Sequence, residues 1–340
     1  MNALNTLFVL SPGAYVSKDH RNLIVKVDGE VRIRVPIHGL ASVACFGHTL
    51  MSPDAMGSSV AAGVQVAFFS QTGRFVARVE GPGRGSLALR RAHFRATDDE
   101  QQVISIARSI VLGKIANSRQ LLLRRARESD DTERVARLSA AADHIIRLFP
   151  SLQAAATLDE IRGYEGDAAA RYFAAFGDCI SAPDFSFAGR SRRPPRDPVN
   201  ALLSFSYAIL LNDCASALAG VGLDPDAGFL HRDRPGRPSL ALDLMEELRS
   251  AFADRLVLAL LNRGQVRPEN FTIEPTGGVS MSESARRDFL ASYQTRKQEE
   301  INHPFLQRTV PWALIPHLQA RLLARHLRGD LDAYPPFVVK

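Results

Sequence analysis

The first 85 residues are predicted to form mainly strands, because segments within them alternate apolar and polar positions with a period of two, which is typical of strands buried on one face. Residues 25–27 and 31–35 show this alternation on either side of Asp28-Gly29. Because Asp-Gly is a favoured two-residue hairpin turn, the pattern predicts a β-hairpin here. Residues 64–69 and 75–79 predict a second hairpin of the same kind.

The spacing changes to a helical period after the glycine-rich segment 81–85, which we take as a domain boundary. Apolar residues then recur on one helical stripe, as at Ile104, Ala107, Ile110, Val111 and Ile115. The rest is predicted helical to about residue 330, except for a small hairpin at 271–281. The sequence therefore predicts an α+β fold, with a β-strand-rich domain over residues 1–85 and a larger all-α domain over residues 86–340. Whether the tail at 334–337 docks on a surface or stays mobile is left open.

The charge balance fits an anionic partner only modestly, with a net charge of +6. Five basic residues are lysines and the other 37 of 42 are arginines. Arginine suits bidentate phosphate recognition, but an arginine-rich chain also arises from a GC-rich genome, so position matters more than number. The arginines cluster at residues 84–95, 119–127, 190–196 and 232–237. The second cluster is interpreted as a solvated helix face, and the third as a basic linker that follows a DNA backbone.

The three cysteines are widely spaced without a CxxC pair, which favours a reducing cytoplasmic compartment and no structural zinc. The N-terminus lacks the basic start of a signal peptide. The most apolar long stretch, residues 201–223, is interrupted by Asn212-Asp213. We therefore expect neither a signal peptide nor a membrane span.

Three short segments predict a site for a hard divalent metal ion. Such an ion takes carboxylate oxygens and at most one imidazole when it acts on phosphates. Glu165, His231 and Asp243 supply this set. Asp243 and Glu246 are three apart in a predicted helix, residues 239–252, so both lie on one face. Arg249 continues that stripe and would donate hydrogen bonds to a phosphate.

Each segment also has a structural interpretation. A single histidine is more often a hydrogen-bonded structural residue, and Asp243, Glu246 and Glu247 could form the polar face of an amphipathic helix. Glu165 lies between Gly163 and Gly166, which cost a helix roughly 2 kcal/mol relative to alanine. Either close helix packing or a ligand approaching the backbone would explain that cost. A zinc hydrolase is disfavoured because the ligands are rich in oxygen.

The chain resembles the first CRISPR-associated protein, the adaptation integrase common to CRISPR systems, over three blocks in the family's order. They are residues 158–173 (LDEIRGYEGDAAARYF), 197–207 (DPVNALLSFSY) and 228–249 (GFLHRDRPGRPSLALDLMEELR). The strand-rich start followed by Arg90-Arg-Ala-His-Phe94 also agrees with the family's layout. The length and the segment 231–238 look most like the subtype I-C branch.

The resemblance implies a metal-dependent DNA endonuclease and integrase that inserts foreign DNA fragments as new spacers into a repeat array. The family's ligands, a Glu, a His and an Asp, fall on Glu165, His231 and Asp243, with Glu246 as a possible further ligand of Mg²⁺ or Mn²⁺. Residues expected to hold the DNA are Arg162, Asn200 and Arg249, together with Arg190, Arg192, Arg193 and Arg196 of the linker.

The same resemblance implies partners. They are DNA that is double-stranded, branched or carries 3′ ends, a second copy of the chain joined through the β domain, and a small ferredoxin-like CRISPR protein. A 3′-hydroxyl would attack directly, without a covalent protein intermediate. The alternatives are an unrelated metal-dependent DNA phosphodiesterase and a DNA-binding scaffold without catalysis.

Overall fold

The computed structural model describes residues 5–71, 75–81 and 87–339. Within them the strands are β1 (Asn5–Val9), β2 (Tyr15–Asp19), β3 (Asn22–Val27), β4 (Glu30–Pro36), β5 (Leu40–Phe46), β6 (Leu50–Met51), β7 (Gln65–Phe69), β8 (Phe75–Val79), β9 (Phe271–Ile273), β10 (Val279–Met281), β11 (Glu300–His303) and β12 (Arg308–Pro311). The helices are α1 (Pro53–Ala61), α2 (Leu87–Asp98), α3 (Glu100–Arg127), α4 (Thr132–Arg147), α5 (Phe149–Ala154), α6 (Leu158–Phe176), α7 (Pro198–Val221), α8 (Ser239–Glu246), α9 (Arg255–Asn262), α10 (Glu283–Gln298) and α11 (Ile315–Leu327).

The chain divides into two compact units, and the first contains two four-stranded sheets. One sheet has the order β1-β5-β7-β8 and the other β4-β3-β2-β6. Both predicted hairpins are confirmed, since β3 pairs with β4 and β7 with β8 in antiparallel fashion. Asp28 and Gly29 both have positive φ, as the tight turn between β3 and β4 requires.

The first unit also contains segments from far along the chain, Glu283–Glu299 and Pro311–Leu314. Here α10 packs against β1, and the Gln298 side chain donates to Asn5. The sequence analysis assigned residues 283–299 to the all-α domain, whereas the structure places α10 in the first unit, because only tertiary packing brings it back to the sheet. The strand β4 keeps an exposed face, on which Val31 is 50% and Ile33 39% exposed.

The second unit comprises the described residues from 87 to 282 together with Glu300–Val310 and 315–339. It is mainly helical, and the predicted hairpin at 271–281 is present as β9 and β10. The sequence did not predict the two-stranded sheet of β11 and β12, so the part beyond residue 86 is not entirely α-helical. The segment 82–85, at the predicted domain boundary, and residues 72–74 of the second hairpin's loop lie outside the described residues.

Helix α7 is long and apolar enough to cross a membrane by length and composition alone. However, 72% of its most apolar window is buried inside the protein. That burial is the pattern of a core helix, and α7 packs against α8 and α11. The helix therefore forms the interior support of the helices that carry the candidate site.

Candidate active site

Helix α6 presents Glu165 at a cavity of the second unit. Its start is fixed by a capping box, in which Thr157 Oγ1 accepts from Glu160 N and Glu160 Oε2 accepts from Thr157 N. A Cβ added at Gly163 or Gly166 would meet no described atom within 4 Å. Tight packing within the described chain therefore does not explain these two glycines, which leave the face of α6 beside Glu165 open.

Asp243 binds the segment that carries His231. It is fully buried on α8, and its two oxygens accept the backbone N–H groups of Phe229, Leu230 and His231 at 2.7, 2.9 and 3.0 Å. Its Oδ1 also lies 2.6 Å from His231 Nδ1. Four donors therefore occupy this carboxylate, which holds both the backbone and the ring of His231 in place.

Gly228 allows this segment to approach α8. A Cβ at position 228 would lie 2.7 Å from Ser239 Cβ and 3.0 Å from Asp243 Oδ2. No side chain fits into that space without moving the segment. The glycine in the GFLH sequence is therefore required by the contact that positions His231.

Glu246, one helical turn after Asp243, faces the cavity and is 3% exposed. Its Oε1 lies 2.9 Å from an Arg249 nitrogen and 3.9 Å from His231 Nε2. Burial opposes ionisation, but Arg249, Lys114 and His231 outweigh it and lower the pKa of Glu246 to about 2. A carboxylate that is ionised at neutral pH therefore faces the free edge of the His231 ring.

Lys114 on α3 lies between the two carboxylates of the cavity. Its ammonium pairs with Glu165 Oε1 and lies 2.7 Å from Glu246 Oε2. The sequence analysis missed this residue, because 51 positions separate it from Glu165. One signal was available, since a lysine is unusual in a chain that uses arginine for most of its basic positions.

The cavity has a volume of about 370 Å³ and a basic rim. Glu165, His231 and Glu246 line it together with Arg232, Arg234 and Arg237. These arginines belong to the 232–237 cluster noted in the sequence. Carboxylates and imidazole at the base with guanidinium groups at the rim would suit a cation and the phosphates bound to it.

Two of the arginines that were predicted to hold DNA, Arg162 and Arg249, contact residues that line the cavity. Arg162 donates from Nε and Nη2 to the carbonyl oxygen of Leu230 at 3.0 and 2.7 Å, and so supports the segment that carries His231. Arg249 lies in a π-helical turn, Arg249–Asp254, instead of continuing the predicted helix to residue 252. There it contacts Glu246 and stacks over the Tyr207 ring.

Asn200 is completely buried, and both ends of its amide are occupied. Its Oδ1 accepts from Arg190 at 2.6 Å and from Ser191 N at 3.0 Å, and its Nδ2 donates to Gly189 O and Asp197. Arg190 also donates to Ser204 and stacks over Tyr207. In this structure Asn200 positions Arg190, whereas Arg192, Arg193 and Arg196 of the same linker are exposed.

A buried carboxylate, Asp254, closes the interior behind Arg249. It accepts from the hydroxyls of Tyr172 and Tyr207 at 2.7 and 2.6 Å. Burial raises the pKa of Asp254 and of both tyrosines. Tyr207, between Arg190 and Arg249, therefore links the linker to the cavity.

The residues at the cavity fit a divalent cation, although no group of three metal-ligating side chains is close enough within the described part of the chain to form a ready cluster. In their place the Lys114 ammonium lies between Glu165 and Glu246 and pairs with both carboxylates, as a cation would. Two carboxylates and an imidazole nitrogen form an oxygen-rich donor set of the kind that Mg²⁺ and Mn²⁺ prefer.

Comparison with known proteins places this chain in a family. The family model described as CRISPR associated protein Cas1 matches residues 7–295. A protein of Rhodospirillum rubrum, named CRISPR-associated endonuclease Cas1 2, is 48% identical over 99% of both chains. The chain belongs to the Cas1 family, as the resemblance predicted.

Solved structures share the fold of this chain. A casposase bound to an integration product superposes with a TM-score of 0.83 at 21% identity, covering 99% of this chain and 94% of that one. A partial Cas6-RT-Cas1–Cas2 complex contains a chain with a TM-score of 0.66 at 25% identity, covering 99% and 98%. The predicted α+β class is confirmed, and the I-C subtype stays a prediction.

Proposed function

We propose that this chain is a metal-dependent DNA endonuclease and integrase that inserts DNA fragments into a CRISPR repeat array. The proposal rests on the convergence of Glu165, His231 and Glu246 on one cavity, where an ammonium group pairs with both carboxylates. Family membership and relatives named CRISPR-associated endonuclease support the same reaction.

We assign the direct ligands as Glu165, His231 Nε2 and Glu246, and the supporting role to Asp243. Asp243 is fully buried and its oxygens are occupied by four donors, so binding an ion directly would cost those bonds. A divalent ion, Mg²⁺ or Mn²⁺, supplies charge neutralisation at the reacting phosphodiester when it is bound.

The residues of the chain have separate tasks in this proposal. Asp243 accepts the Nδ1 proton of His231 and so leaves Nε2 as the ligand nitrogen. Lys114 balances the two carboxylates in the absence of a cation. Arg249 neutralises Glu246 and, with the rim arginines, binds phosphate oxygens and holds the 3′ end of a DNA strand in place.

Exposed basic residues extend the proposed DNA path away from the cavity. Arg192, Arg193 and Arg196 of the linker can reach a DNA backbone, whereas Asn200 acts by positioning Arg190. A solved Cas1–Cas2 complex among the similar structures supports a Cas2-type partner for this chain, the small ferredoxin-like protein of the sequence prediction. The exposed apolar face of β4 supports pairing of two copies through the first unit.

A strand-transfer assay tests the catalytic assignment. Purified protein is given DNA with free 3′ ends and a repeat-containing target, with Mn²⁺ or Mg²⁺ or with chelator. We expect transfer only with metal, and its loss in Glu165→Gln and Glu246→Gln. Glu269→Gln, which removes an exposed carboxylate of the same unit, is the matched control and should retain transfer. Transfer that survives both substitutions in the cavity would contradict the assignment of these carboxylates, whereas DNA binding without any transfer by the wild type in the presence of metal would favour a binding scaffold over an enzyme.

A further inference from the structure

The C-terminal strap, residues 334–339, docks in the interior of the second unit. Tyr334 is 2% exposed, Phe337 is fully buried and Val339 is 8% exposed. The sequence left open whether this tail docks or stays mobile. The answer matters because the tail contacts the two helices that carry Lys114 and Glu246.

Glu247, next to Glu246, binds the strap from the C-cap position of α8. Its Oε1 accepts from the Tyr334 hydroxyl at 2.6 Å, and its Oε2 accepts from Phe337 N at 2.7 Å and Gln319 Nε2 at 2.9 Å. Glu247 is fully buried, so these are the bonds that compensate its transfer out of water. The C-terminal end of α8 is therefore tied to the strap through a side chain adjacent to a proposed ligand.

Asn117 binds the strap from α3. Its Nδ2 donates to Phe337 O at 2.7 Å and to Glu247 O at 2.8 Å, while its Oδ1 accepts from Val339 N at 2.8 Å. One buried amide thus joins α3, the end of α8 and the strap. Gly113 makes the contact possible, since a Cβ there would lie 2.8 Å from Pro336 Cβ and 3.3 Å from Glu247 Cγ.

The geometry of the cavity depends on the same two helices. Asn117 lies one helical turn after Lys114 on α3, and Glu247 follows Glu246 directly at the C-terminal end of α8. The contact between the Lys114 ammonium and Glu246 Oε2, at 2.7 Å, joins the same two helices. A shift of α8 against α3 would therefore change the positions of Lys114 and Glu246 together.

We propose that the C-terminal strap is a positioning element of the active site, with Glu247 and Asn117 as positioning residues that fix α8 against α3. This inference rests on the metal site assigned above. A purely structural strap would lower stability without a selective effect on α8 or on the cavity. The two roles differ in what they predict for amide exchange and for metal affinity.

The test compares the full chain with a chain that ends at Ala333. Hydrogen exchange of the α8 amides is measured without metal, and Mn²⁺ binding is measured by calorimetry. We expect faster exchange in α8 and a loss of Mn²⁺ affinity of about 10-fold, in the range found for groups that orient metal ligands. A synthetic peptide of residues 332–340, added in excess, should restore both, whereas a scrambled peptide should restore neither.

Two substitutions complete the test. Glu247→Gln in the full chain is milder than truncation and should show the same two effects to a smaller degree, even if the shortened chain does not fold. Val279→Ala in β10, a buried position outside α3, α8 and the strap, controls for general destabilisation. Unchanged α8 exchange in both the truncated and Glu247→Gln proteins, or equal effects in Val279→Ala, would overturn the inference. If the full chain itself binds no Mn²⁺, the proposed metal site fails, while α8 exchange still decides the role of the strap.

Discussion

Replacing Asp243 by asparagine should reduce metal binding without removing a metal ligand. Asparagine keeps the shape of the side chain but exchanges one accepting oxygen for an NH₂ group. In the structure Oδ2 accepts two backbone N–H groups, and Oδ1 accepts one and contacts His231 Nδ1. The substitution therefore forces a choice between two orientations of the amide.

The cost of each orientation follows from the donors it leaves unpaired. With NH₂ in the place of Oδ2, the N–H groups of Phe229 and Leu230 both lose their acceptor. With NH₂ in the place of Oδ1, only the His231 N–H is orphaned. Each unsatisfied buried donor costs about 1–3 kcal/mol, so the second orientation is favoured and the protein should lose stability of that order.

The favoured orientation changes the histidine tautomer. An NH₂ group beside Nδ1 must donate to it, so the ring proton moves to Nε2, the nitrogen assigned as the metal ligand. We therefore expect Mn²⁺ affinity to fall by about 10- to 100-fold, the range typical for loss of a group that orients a metal-binding histidine.

Calorimetric Mn²⁺ titration and thermal unfolding of four proteins measure this effect. They are the wild type, Asp243→Asn, His231→Ala and the double variant. If Asp243 acts through His231, its substitution should have little further effect on affinity once His231 is alanine. Asp254→Asn, a second fully buried carboxylate with two hydroxyl donors, should lower stability but leave affinity close to wild type. A full further loss of affinity in the double variant would refute the reasoning and make Asp243 a direct ligand.

Three other changes test the surfaces around the site. Gly166→Ala should stabilise α6 by up to about 1 kcal/mol, since no described atom lies within 4 Å of the new methyl group. It should also weaken DNA binding if DNA approaches this face of α6, and an unchanged DNA affinity would exclude that approach. DNA affinity should fall steeply as the salt concentration rises. Replacing the exposed linker residues Arg192, Arg193 and Arg196 by alanine should reduce the magnitude of the slope of log affinity against log salt by about 3, because each phosphate contact contributes about 0.9. The double substitution Val31→Lys and Ile33→Lys on β4 should convert a dimer into a monomer, as measured by sedimentation. A monomeric wild type would contradict pairing through this strand.

The sequence by itself determined the local features of this protein. The Asp28-Gly29 turn, the strand alternation around it and the capping box at Thr157 depend on neighbouring residues, and all three are present in the structure. The blocks around Glu165, His231 and Asp243 were enough to identify the family, because motif order is a property of the chain alone.

Tertiary structure decided which partners these residues contact and therefore which role each can have. Helical spacing puts Asp243 and Glu246 on one face, but the N–H groups that occupy Asp243 belong to a separate loop, while Lys114 and Arg249 surround Glu246. Spacing cannot reveal such partners, because they are set by packing between distant segments. For the same reason the sequence did not place α10 in the first unit. Nor did it predict that the C-terminal strap contacts Asn117 and Glu247, because 220 positions separate Asn117 from Phe337.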